Sequence, residues 1–193
     1  MRKHLSRVMA ALLVLAMALT MLPVVSAAKE RFTATPIDGI PESGQTFVIY
    51  SAPAGGVFSP EASGGAVGVS AASGSEESAN LTVQTGAGAY QAVKNADGTY
   101  YLTCGGQYLT VNSAEKLTFE NEPKSGSSMS SKWKIADAGK DYDGFSIASA
   151  EVKYNNYEIF LEFYTAFKAW TYKPNNDWSI YVFRFFSVDG TAD

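Results

Sequence analysis

Four short apolar or aromatic bursts follow one another through residues 133–172: Trp133-Lys134-Ile135, Phe145-Ser146-Ile147, Ile159-Phe160-Leu161-Glu162-Phe163 and Lys168-Ala169-Trp170-Thr171-Tyr172. Turn-forming residues separate them, and the same series recurs elsewhere in the chain. Tyr90-Gln91-Ala92-Val93, Trp133-Lys134-Ile135 and the run from Tyr181 to Phe185 read as equivalent first strands, their starts 43 and 48 residues apart. Thr99-Tyr100-Tyr101-Leu102 matches Gly144-Phe145-Ser146-Ile147, each beside an Asp-Gly pair, and Phe47-Val48-Ile49-Tyr50 fits the same slot. Tyr108-Leu109-Thr110-Val111 matches Phe160-Leu161-Glu162-Phe163, and Leu117-Thr118-Phe119 matches Ala169-Trp170-Thr171. A short-strand series at a fixed period of forty-odd residues restricts the fold to repeat architectures in which neighbouring units bury a shared core.

Three units of four strands predict about twelve strands. The first unit lacks its own first strand, and the run ending at Phe186 can supply it, which brings the two ends together and leaves no open sheet edge. A four-bladed propeller would need more chain, and a sandwich would not explain a threefold series. The expected fold is therefore all-β, a β-trefoil-like closed barrel with a cap.

Local signals agree with an all-β reading. Thr46-Phe47-Val48-Ile49-Tyr50 is β-branched and aromatic. Asn95-Ala96-Asp97-Gly98 and Gly105-Gly106 are turns flanked by alternating strands. No ten-residue segment has a convincing 3.6-residue period. Residues 28–44 read as an extended lead-in, and residues 61–79, rich in Gly, Ala and Ser, as a long flexible surface loop around a weak Val67-Gly68-Val69 strand. The last strand is expected over Ile180-Tyr181-Val182-Phe183-Arg184-Phe185-Phe186.

Three phrases carry a resemblance. Gln45-Thr46-Phe47-Val48-Ile49-Tyr50, Gly106-Gln107-Tyr108-Leu109-Thr110-Val111 and Phe160-Leu161-Glu162-Phe163-Tyr164 resemble recurring phrases of trefoil-like accessory domains in secreted proteins of Gram-positive anaerobes. Those domains often stand ahead of metallophosphatase/5′-nucleotidase or nuclease domains. The resemblance covers residues 45–188 and implies a noncatalytic module, with any catalytic domain beyond Asp193 and residues 189–193 a short tail or linker.

Residues 1–27 read as a cleaved secretory signal. Arg2, Lys3 and Arg7 form a basic start, an apolar run of about 15 residues follows, and small residues end it near Ala27. That run is shorter than the roughly 20 residues a spanning helix needs. The expected location is extracellular, with no membrane attachment after cleavage. Removing the leader takes three of the 15 basic residues and none of the 19 acidic ones, leaving 12 against 19 and a net charge of −7. Such a surface repels phosphate backbones, so nucleic acid is not an expected partner.

Two absences limit the chemistry. The only His is His4, inside the leader, and the only Cys is Cys104. Dinuclear phosphoesterase sites and Ser-His-Asp or Cys-His arrangements cannot be built in the usual way from the mature chain. Cys104, in an alternating strand, reads as a small buried hydrophobe. A glycosidase needs only two carboxylates, and Glu151, Glu158 and Glu162 are available; Glu162, between Leu161 and Phe163, is expected on a solvated strand face. Asp141-Tyr142-Asp143-Gly144 starts like a calcium loop, but its ligand series does not continue. No catalytic residue, metal or cofactor is expected, and the chain is expected to be a monomer.

Aromatic residues are the remaining signal. Tyr154, Tyr157, Tyr164, Trp170, Tyr172 and Trp178 fall within 25 residues, interleaved with Asn155, Asn156, Asn175 and Asn176. Sugars stack their CH faces on exposed rings while amides pair with their hydroxyls. The expected ligand site is Tyr154, Asn155, Tyr157, Trp170, Tyr172 and Trp178, recognising glycan or other cell-surface material. The alternative is that these rings fill the core of a structural accessory domain with no ligand of its own. The Gln-x-Trp signature of ricin-type sugar-binding trefoils is replaced by Ser131-Lys132-Trp133, so that family's sugar site does not carry over.

Overall fold

A computed structural model of the chain describes residues 31–73, 80–84, 86–172 and 177–188; the expected leader and the tail lie outside them. The described residues form fifteen strands: β1 (Arg31–Pro36), β2 (Thr46–Ser51), β3 (Gly56–Ser63), β4 (Ala66–Ser73), β5 (Leu81–Gln84), β6 (Tyr90–Lys94), β7 (Tyr100–Cys104), β8 (Gln107–Asn112), β9 (Leu117–Glu120), β10 (Met129–Ser130), β11 (Lys132–Asp137), β12 (Phe145–Tyr154), β13 (Tyr157–Phe163), β14 (Phe167–Thr171) and β15 (Arg184–Ser187). Among the described residues the only helix is a single 3-10 turn, Trp178–Tyr181. The pairings between these strands are all antiparallel, and one isolated bridge, Ser43 to Ala92, is parallel. They close an eleven-strand barrel in the order β7-β11-β12-β13-β14-β4-β5-β1-β15-β2-β6 and back to β7.

A shorter circuit lies within it. Strands β15, β2, β6, β7, β11 and β12 pair in turn, and an isolated bridge between Phe145 and Phe183 joins the last to the first. At three of these junctions aromatic residues are paired in the register: Phe47 with Tyr90, Tyr100 with Trp133, and Phe145 with Phe183. Cross-strand aromatic pairs are among the stronger stabilisers of a ladder. Gly144 makes the third junction possible. Its φ is +154°, and a Cβ there would lie 2.6 Å from the Phe183 carbonyl oxygen.

Between successive circuit strands the chain forms the hairpins β3–β4, β8–β9 and β13–β14. They are tied to one another. Leu117 N donates to Gly65 O at 2.9 Å, Thr171 N donates to Glu115 Oε1 at 2.9 Å, and Phe167 of β14 pairs with Val67 of β4.

Strand β2 is buried on both faces, which explains its unbroken apolar run. Phe47 and Ile49 enter a main core with Trp133, Leu102, Leu161 and Phe183. Val48 and Tyr50 enter a second, smaller core with Ala34, Leu81, Val83 and Phe186. That second core sits inside a further closed set of pairings, β2-β3-β4-β5-β1-β15. Trp133 is fully buried, and its indole Nε1 donates to Leu109 O at 2.9 Å. Cys104 is buried, and that burial pushes its thiol pKa up.

Several expectations need correction. The segment read as a flexible loop supplies the end of β3 and all of β4, as far as Ser73, with residues 74–79 outside the description. The lead-in contains β1, paired with β5 and β15, with Ala34 fully buried. The last strand starts at Arg184, because Trp178–Tyr181 turns first. Phe183, not Tyr181, therefore takes the place corresponding to Tyr90 and Trp133. The β8–β9 and β13–β14 hairpins align two residues away from the expected match: Leu109 pairs with Phe119 as Leu161 pairs with Ala169.

Candidate functional site

The turn between β12 and β13 is two residues long. Asn155 and Asn156 both have positive φ, +50° and +69°, the conformation of a type I′ hairpin turn, in which Asn is one of the few L-residues tolerated. This turn makes Tyr154 and Tyr157 direct cross-strand partners. Both rings are exposed, Tyr157 by 62%. One strand further on, Trp170 lies opposite Phe160 and is 43% exposed.

Tyr154, Asn155, Tyr157 and Trp170 line one cleft of about 360 Å³. Its other walls are Glu115 and Thr171. Past its bridge to Val67, β14 has no strand on that side among the described residues, and the Glu115 carboxylate fills the role: it accepts from the Thr171 amide at 2.9 Å and from the Thr171 hydroxyl. Glu115 itself adopts a φ of +58° in the β8–β9 turn. Glu115, Asn155 and three aromatic residues thus line one concavity. A polyol can stack there and exchange hydrogen bonds.

Tyr172 and Trp178 are placed differently. They pack with Phe160 and Tyr181 in a half-buried aromatic brace, with Tyr172–Trp178 centroids 4.7 Å apart and Trp178 stacked on Tyr181 at 5.4 Å. The Trp178 indole donates to Ala138 O at 3.0 Å. Of the six expected residues, four meet in the cleft and two hold the 3-10 turn against β13. Asn175 and Asn176 lie outside the described residues.

A second cleft of about 450 Å³ opens on the other side of Trp170, lined by Glu162, Tyr164, Lys168, Trp170, Asp177 and Ile180. Here the expectation for Glu162 fails. The alternation does put it on the outer face of β13, but the 3-10 turn covers that face, and Glu162 is only 6% exposed. Burial raises its pKa; the Tyr181 hydroxyl, which donates to it, and the Lys168 charge act the other way, and Glu115 adds to the rise. Asp177 caps the 3-10 turn by accepting from Ser179 N at 2.9 Å, and this bond holds its carboxyl below the usual range. Sequence reasoning did not find Glu115, Thr171 or Lys168. A Ser-Ala-Glu-Lys turn carries no sign that its glutamate reaches a strand 56 residues away.

Elsewhere, the Asp141-Tyr142-Asp143 loop borders a cleft with Arg184, and Asp143 faces the Arg184 guanidinium at 3.6 Å. Among the described residues no three His, Cys, Asp or Glu side chains converge as metal ligands. Comparison of the chain with protein-family models, with curated proteins and with solved structures finds no match.

Proposed function

We propose that the protein is a secreted, noncatalytic binding module that recognises glycan through the Trp170 cleft. The observation that carries this reading is the convergence of three exposed rings, Tyr154, Tyr157 and Trp170, with the Asn155 amide and the Glu115 carboxylate around one concavity. Large exposed apolar side chains grouped on one surface mark interaction sites more often than scattered ones do. Four of the seven in the described residues lie on this hairpin and its flanks: Tyr154, Tyr157, Tyr164 and Trp170.

We further propose that the fold is a β-trefoil. Six strands in a closed circuit, three aromatic junctions and three mutually tied hairpins support that assignment; β1 and β5 with their small core, and the short β10, are additions to it. A structural accessory domain with no ligand is the second reading, favoured by the inward packing of Tyr172 and Trp178.

A glycan array separates the two readings. The binding-module reading expects retention of one glycan class by the wild type and its loss in Trp170→Ala. A wild type that retains no glycan would leave the accessory-domain reading.

A further inference from the structure

Trp170 borders two clefts, and their walls differ. The first offers rings, an amide and the Glu115 carboxylate. The second offers Tyr164, which is 75% exposed, a buried carboxylate at Glu162, the Lys168 ammonium and the capping carboxylate of Asp177. Glu162 and Lys168 are cross-strand partners, and the Lys168 charge acts on the Glu162 carboxyl. The row of rings also has length. Strand β13 runs Tyr157–Phe163, about 20 Å at the usual strand rise, with Tyr157 at one end and Tyr164 just past the other. That is longer than a single sugar ring.

We infer that the second cleft is a further sugar subsite continuous with the first across Trp170, and that the ligand is a neutral oligosaccharide spanning both. This rests on the glycan reading of the first cleft. The walls disfavour an acidic sugar, because the carboxyls of Glu162 and Asp177 outnumber the single Lys168 ammonium. A neutral polyol can accept from Lys168 and donate to the carboxylates without an unpaired charge. The Tyr181 bond and the covering 3-10 turn hold Glu162 in place, so little ordering remains to be done on binding.

The test is titration of the full chain, by calorimetry, with neutral gluco-, xylo-, manno- and N-acetylglucosamine oligosaccharides of one to six units and with an acidic uronate series. Affinity is expected to rise with length within one neutral series and then level off. Tyr164→Ala and Lys168→Ala should each lower affinity for the long members by about 5- to 10-fold, the scale of one ring or hydrogen-bond contact, and leave the shortest binding member unchanged. Asn155→Gly should weaken short and long members alike. Affinity independent of length, or second-cleft variants that match the wild type on long members, would overturn the second subsite while leaving the first. Preference for the uronate series would overturn neutrality. No binding to any series would overturn both readings.

Discussion

Tyr154 and Tyr157 are cross-strand partners separated by Asn155 and Asn156, both of which have positive φ. The turn thus sets the spacing of two exposed rings, and Asn155 has a conformational role whatever it contacts. The two roles separate by substitution. Asn155→Ala should cost about 1 kcal/mol, because alanine in the left-handed region is strained, whereas Asn155→Gly should leave stability within about 0.5 kcal/mol. Urea unfolding gives both values. Loss of glycan affinity in the glycine variant would then belong to the missing amide alone.

Trp170 and Trp178 should behave oppositely. Trp170→Ala removes a ring that is 43% exposed and should change stability by less than about 1 kcal/mol. Trp178→Ala removes the ring stacked on Tyr181 and the bond to Ala138 O, and should cost about 2–3 kcal/mol. Thermal melts of the two single variants check this. A double variant would mix a binding effect with a folding one.

Glu162 makes stability depend on pH. Its folded pKa is raised, chiefly by burial. A carboxyl with a raised folded pKa contributes stability below its unfolded value, about 4.3, and loses it as pH rises through the folded value. Glu162→Gln should therefore melt at a higher temperature than the wild type at pH 7, with the advantage shrinking towards pH 4. A Gln variant no more stable at pH 7 than at pH 4, relative to wild type, would refute the buried placement.

The Glu151 carboxylate has the opposite sign. It accepts from Ser125 Oγ, Gly126 N and Ser130 Oγ, and pairs with Lys132, which also pairs with Asp97. Burial would raise the Glu151 pKa, but these donors outweigh it and the net shift is downward. Asp97, bonded chiefly by Thr99, is lowered to about 2. Both groups contribute stability above their unfolded values near 4, and that stability is lost as pH falls, for Asp97 on the way to about pH 2. Glu151→Ala should cost about 2 kcal/mol at pH 7, and less by pH 3, in denaturant titrations at the two pH values.

Much of the barrel could be read from aromatic placement. Tyr90 matches Trp133 and Tyr100 matches Phe145 across units in the sequence, and these four residues stand at the junctions of the circuit, with Phe47 one residue out of its expected alignment. Phe183 differs from the expected Tyr181, because a 3-10 turn reads like a strand start when three of its four residues are apolar or aromatic. That same turn hid the burial of Glu162, since alternation assigns a face but not what covers it. Gly- and Ser-rich residues 61–73 misled for a different reason. Composition reports how little a segment buries by itself, whereas β3 and β4 are held by their partners β2, β5 and β14.

Strand β2 is a party wall. One set of its side chains closes the larger room and the alternate set closes the smaller. Neither room stands without it, so the chain offers no cut that yields two self-sufficient pieces. Deleting β1 would not trim a lead-in; it would uncover Phe186, Val48 and Tyr50 from behind and leave the main barrel with a wet, greasy back.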